Sequence, residues 1–181
     1  MCDTEVYTVR VDSYGASSNA SFISYLNIPL KNVIKAELLS ASIGSNATVL
    51  SNLAYIHVQE LISKFNTRAE LKMEQRAYSI GAANTLVSDV GFSSLAAANA
   101  AQLATSIVAF PIVPGVPDQR TNFSCSQNFP AEVEFMEPIR QVEKFTVNIF
   151  REDGGQPTLQ TGATYLTFKM TCARPNVCLY P

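Results

Sequence analysis

The sequence predicts an all-β fold, a single jelly-roll sandwich of eight antiparallel strands with a long irregular, part-helical middle insertion. Three observations predict it. Short runs of alternating apolar and polar residues recur along almost the whole chain, and a period of two sends one set of side chains to a buried face and the other to solvent. The runs are separated by turn residues, and the closing reversal Glu152-Asp153-Gly154-Gly155-Gln156-Pro157 carries an Asp-Gly-Gly core suited to a tight turn. Eight strands in a chain of 181 residues, with a long middle connection, suit two packed sheets better than an immunoglobulin-like sandwich, whose strands are evenly spaced over about 100 residues.

Taken in order, Tyr7, Val9 and Val11 alternate with Thr8 and Arg10 to give a first strand, and Tyr14 to Ser18 makes a loop. Phe22 to Ile28 forms a second strand ended by Pro29, which has no amide hydrogen for a ladder. Val33 to Ile43 is a third, with Ile34, Ala36 and Leu38 facing inward and Lys35 and Glu37 outward, closed by Gly44-Ser45-Asn46. Ala54 to Leu61 is a fourth, with Ile56 and Val58 inward. The irregular excursion covers 63–106. Within it Thr67 to Ile80 could hold a strand or a short helix, and Ser93 to Ala98 reads as a capped, Ala-rich helix. Ile107 to Val113 resumes as a strand. Val133 with Phe135, Phe145 to Phe150, and Tyr165 to Thr171 complete the eight. The expected core includes Val9, Ile34, Leu38, Val58, Phe135, Phe145, Val147, Ile149, Leu166 and Phe168.

The chain reads as one domain, 1–181, with a C-terminal tail from 173 to 181. Hydrophobic residues make up 47% and charged residues 15%, too apolar for a disordered chain and poor in charge for a free monomer. Part of the surface is therefore expected to lie against other protein. A formal net charge of -2, with 13 Lys plus Arg and no basic run, leaves little to neutralise a phosphate backbone, so direct nucleic-acid binding is not expected. No apolar stretch approaches the roughly 18 residues of a membrane span. Nothing at the N-terminus resembles a secretory signal, and the protein is expected to be made in the cytoplasm. Cys2, Cys125, Cys172 and Cys178 lack the paired spacing of a zinc or redox motif and read as free thiols; the alternative is a Cys172–Cys178 bridge under oxidising conditions. The sequons at Asn19, Asn46 and Asn122 carry no weight without a secretory route.

Catalytic clusters do not emerge, so no enzyme activity and no cofactor or metal is expected. His57 is the only histidine and would have to serve any triad with Cys125 or a serine, yet it sits in an alternating strand without a nucleophile turn; a half-exposed strand histidine is the simpler reading. Glu132, Glu134, Glu137 and Glu143 could pair for glycoside hydrolysis, but the chain has no tryptophan platform, and a solvated strand face explains them. Surface tyrosines such as Tyr14, Tyr25 or Tyr78 leave a carbohydrate-binding, lectin-like sandwich as an alternative from another class. Glu152-Asp153 reads as the lip of a hairpin, and Asp12, Asp89 and Asp118 as isolated loop residues.

Three phrases carry a family resemblance. The run Ile28-Pro29-Leu30-Lys31-Asn32-Val33-Ile34-Lys35-Ala36-Glu37-Leu38-Leu39-Ser40-Ala41-Ser42-Ile43, then Tyr55-Ile56-His57-Val58-Gln59-Glu60-Leu61, then Pro138-Ile139-Arg140-Gln141-Val142-Glu143-Lys144-Phe145-Thr146-Val147 with the Asp153-Gly154 turn, resemble in order the small jelly-roll virion proteins of large icosahedral nucleocytoplasmic DNA viruses, including those of algae. The phrases span roughly half the chain, and nothing between Lys72 and Ala104 matches. The resemblance implies a non-enzymatic capsid component assembled in the host cytoplasm and located in the virion. The chain has residues for one barrel. Single barrels in such shells are pentameric vertex (penton) proteins or minor capsid proteins that cement capsomers, so the implied partners are itself, as a homopentamer, and other capsid proteins.

Two segments are more apolar than free loops need to be. Ile112, Val113, Pro114, Val116 and Pro117 in a stiff loop, and Val177, Leu179 and Tyr180 in the tail, are therefore the expected partner interface, at least one segment lying against a neighbouring chain; the alternative is that both fold back onto their own barrel.

Overall fold

A computed structural model of the chain describes residues 4–44, 53–62, 105–112, 119–128, 130–151, 155–159 and 162–174. Seven strands form one curled antiparallel sheet. They are β1 (Thr4–Asp12), β2 (Ser21–Gly44), β3 (Leu53–Val58), β4 (Val108–Pro111), β5 (Arg120–Ser124), β6 (Glu132–Phe150) and β7 (Tyr165–Ala173). The order is β1-β7-β2-β6-β3-β4, with β5 paired to β2 off this path. A 3-10 turn, Gln59–Leu61, follows β3, and the described residues contain no α-helix. Of the expected excursion over 63–106, residues 63–104, with the helix at Ser93 to Ala98, lie outside the described residues.

The all-β class stands, and the strand count is corrected from eight to seven among the described residues. Two expected pairs of strands are each one long strand. Pro29 does not end the second strand, because it falls in a bulge where no ladder donor is required. From Tyr25 opposite Lys144 to Leu30 opposite Val142, β2 spends five steps against two on β6. From Val33 opposite Ile139 to Lys35 opposite Glu134 the imbalance reverses, two steps on β2 against five on β6. Each strand thus carries three extra residues, and the offsets cancel. The ladder ends in the register in which it began, with Ser21 opposite Asn148 and Glu37 opposite Glu132.

The missing member of the expected list is β5. Its sequence, Arg120-Thr121-Asn122-Phe123-Ser124, holds a single large apolar residue and therefore no visible alternation. Tertiary contacts hold it. Phe123 is buried and stacks on Phe110 of β4 with ring centroids 5.4 Å apart.

The core follows the alternation except beside the bulges and around β3, where Tyr55, His57 and Phe150 are buried on the other face. Val9, Leu38, Val58, Phe145, Val147, Ile149, Leu166 and Phe168 are buried as expected. Ile34 is only half-buried, a correction, because Val33 takes the inward position and Ala36 the next one after the slip. Phe135 lies in the β6 bulge and is half-buried against the margin of the core. Asn32, between the two slips, has a φ of 52°, in the left-handed region that asparagine tolerates and β-branched residues do not. Asn32→Val is expected to cost roughly 1–2 kcal/mol, read as a lower urea midpoint, with Asn32→Gly close to wild type. Equal midpoints for all three would remove the left-handed turn from the account.

Turn chemistry closes the β1–β2 connection. The Ser13 amide donates to the Thr164 carbonyl at 3.0 Å, and the Thr164 amide donates back to Ser13 Oγ at 2.8 Å. Thr164 Oγ1 donates to the Asn19 carbonyl at 2.8 Å, and Ser13 Oγ donates to Asn19 Oδ1 at 2.7 Å. Ser13 and Thr164 are both buried, so this network satisfies polar groups that water cannot reach. It holds the start of β2 against the segment entering β7.

Candidate functional site

Where the two long strands bulge, they turn apolar side chains outward. Tyr25 and Ile28 on the β2 bulge are 73% and 76% exposed, and Met136 on the β6 bulge is 76% exposed. The alternation cannot bury them, because each extra segment bends away from the ladder. Val6 and Tyr7, on the N-terminal half of β1, are exposed as well. The end of the sheet where β1 begins therefore has an apolar rim.

A groove of about 320 Å³ runs through that rim, lined by Tyr7, Thr8, Val9 and Arg10 of β1 and by Tyr25, Leu26, Asn27, Ile28 and Leu30 of β2. Its size is at the bottom of the roughly 300–1,000 Å³ of small-molecule sites. The walls are runs of consecutive residues, which include both side-chain faces of each strand. Such walls are strand edges rather than sheet faces. β1 pairs only with β7 among the described strands, over nine consecutive partners without a slip. No ladder partner is assigned to Leu26, Asn27, Ile28 or Pro29 on the other wall.

The charges of the described residues are unevenly matched. Lys35 bridges Glu132 at 2.7 Å and Glu134 at 3.5 Å, and the hydrogen bond to Glu132 holds its ammonium pKa above the ordinary lysine value. Lys169 meets Glu37 at 3.2 Å, and Arg174 meets Glu5 at 2.9 Å. The Tyr7 hydroxyl donates to Glu5 at 2.6 Å; that bond, ahead of Arg174, holds the Glu5 carboxyl below its usual range. Arg10 differs. Its side chain forms no hydrogen bond or ion pair with any other residue of the described structure.

Of the expected interface residues, Ile112 is 3% exposed and packs into the chain's own core. Val113, Pro114, Val116, Pro117, Val177, Leu179 and Tyr180 lie outside the described residues. His57 is 1% exposed, a correction to the half-exposed reading: both faces of β3 are covered, and Thr105 Oγ1 lies 3.2 Å from His57 Nδ1. Glu132 and Glu134 are engaged by Lys35, Glu143 accepts from Gln141, and the Asp12 carboxylate caps the Tyr14 amide at 3.0 Å. No group of three or more His, Cys, Asp or Glu side chains could hold a metal ion among the described residues. Tyr14 and Tyr25 are both exposed, and Tyr78, Asp89, Asp118, Glu152 and Asp153 lie outside the described residues.

Cys125 and Cys172 are free thiols. Burial, and secondarily the Glu5 carboxylate, push the Cys172 thiol pKa up, which keeps it in the unreactive protonated form. Iodoacetamide at neutral pH is expected to label Cys125 well before Cys172, read by peptide mass spectrometry. Equal labelling of the two in folded protein would show that the core does not shield Cys172.

Sequence reasoning missed the rim, although two signals pointed to it. One was an exposed-type interruption, Met136-Glu137-Pro138, inside an otherwise alternating run; the other was Ile28 beside Pro29 within a strand phrase. No protein-family model matches the chain, and no curated protein matches it. Among the described residues no helix is long and apolar enough to cross a membrane.

Proposed function

We propose that the protein is a structural, non-enzymatic component of an icosahedral viral capsid, a single jelly roll serving as the pentameric vertex protein. The observation that carries this reading is the apolar rim of Val6, Tyr7, Tyr25, Ile28 and Met136 on an all-β antiparallel frame. Exposed apolar residues of this size, gathered together, mark surfaces that meet other protein. The ordered strand phrases that resemble small virion proteins support the same reading. A closed ring of identical copies is the simplest assembly of one barrel, with other capsid proteins as the remaining neighbours. In this reading the chain is made in the host cytoplasm and ends in the virion.

Sedimentation velocity of the purified chain is the first test. Five copies of a 19.7 kDa chain give a species of about 98 kDa. A virion reconstruction with this chain at the fivefold positions completes it. Placement between capsomers moves the role to a minor, cementing capsid protein, and absence from the particle overturns the proposal. The exposed Tyr14 and Tyr25 support one reading of a different class, a lectin-like sandwich, for which specific glycan-array binding is the positive result.

A further inference from the structure

We propose that the groove between β1 and the β2 bulge receives an extended segment of another protein chain as an added strand, with a carboxylate of that segment paired to Arg10. This site does not depend on the capsid reading. A strand edge recognises an extended chain through main-chain hydrogen bonds, and shallow depressions for alternate side chains supply selectivity. The groove offers both, since its walls are strand edges and its rim is Tyr7, Tyr25 and Ile28. β1 is also a regular edge. It has nine residues, no proline and no bulge, where natural edges are usually short, kinked or covered.

Charge decides the kind of occupant. Among the described residues, Arg10 lines the groove with no hydrogen-bond or ion-pair partner and is the only ionisable side chain there apart from the tyrosines. A guanidinium beside apolar surface binds a carboxylate in a fixed, forked geometry.

A second copy of β1 does not meet that need. When two copies of one strand pair about a twofold axis, residues directly opposite each other share a face, so even-numbered positions meet even-numbered ones. Glu5 lies on the face opposite to Arg10 and cannot reach it across such a pair. Asp12 shares the face of Arg10, but setting the two opposite each other overlaps only residues 10–12. The carboxylate must therefore come from a different segment.

The test uses immobilised full-length protein and pooled ten-residue peptides of alternating apolar and polar residues, carrying Glu, Lys or Ser at one central position. Wild-type protein is expected to retain the Glu pool roughly tenfold over the Lys pool, the scale of one charge-assisted pair. Arg10→Glu, whose folding is checked by circular dichroism, should invert that preference. Tyr25→Ser should weaken all pools without changing their order. Hydrogen exchange with the best Glu peptide should show new protection in Thr8 to Arg10. Equal retention of the pools, no retention of any, or an unchanged order in Arg10→Glu overturns the proposal. So does a concentration-dependent dimer abolished by Arg10→Glu, which would make a second copy the occupant.

Discussion

Phe145→Ala is expected to lower the unfolding free energy by about 3–5 kcal/mol, the range for deleting a fully buried aromatic ring. Phe145 sits in the middle of the C-terminal half of β6 with no solvent exposure. Its ring stacks on Phe168 of β7, with centroids 5.5 Å apart and planes 14° from parallel. β6 and β7 both pair with β2, so the two rings join the strands that flank the longest element of the sheet. Alanine would remove the ring and leave a cavity that the surrounding strands can close only in part. Urea unfolding of wild type and variant with equal slopes measures the difference. A loss below about 1 kcal/mol would place the ring outside the cooperative core.

The second large effect is expected from Arg120→Ala, at about 2–3 kcal/mol. Arg120 begins β5, the strand with the weakest apolar signal, and its guanidinium ties three segments together. Nε donates to Ser42 Oγ at 2.9 Å, and Nη2 donates to the Ser42 carbonyl at 2.9 Å and to the Ala163 carbonyl at 2.6 Å. Its carbon lies 5.5 Å from the centre of the Tyr165 ring. Gly162 has a φ of 74°, and a Cβ there would stand 2.9 Å from Nη1, so the neighbouring backbone is shaped around this side chain. Alanine leaves carbonyl oxygens without their donors in a part-buried setting, a larger loss than the bonds' net contribution. Arg120→Lys should recover only part of the stability, because one ammonium cannot reproduce the fork. Hydrogen exchange should show β5 opening before the rest of the sheet in Arg120→Ala. A variant within 0.5 kcal/mol of wild type, about the spread of neutral surface substitutions, would reduce Arg120 to a surface residue.

The sequence by itself determined the all-β class and most of the core. In Tyr165–Ala173 and in the stretch Phe145 to Phe150, each side chain's face follows from the parity of its position, and the local pattern is enough. The failures share another cause. Pro29 inside a strand, Val33 buried in place of Ile34, and half-buried Phe135 all follow from slips between β2 and β6. Neither strand's residues alone state those slips, because the three extra residues in one are compensated by three in the other. His57 was misread for a related reason: its parity puts it on the face opposite Ile56 and Val58, and the fold covers that face as well. The Phe123 strand became visible only through the ring of Phe110 and the anchor of Arg120. The groove is the clearest case. Tyr7, Arg10, Tyr25 and Ile28 are scattered through two runs that look like ordinary strands, and only the curl of the sheet brings β1, an edge among the described strands, against the bulge of β2. Side-chain direction is a local property of an extended backbone, whereas exposure depends on which strand lies alongside, and that neighbour comes from far along the chain.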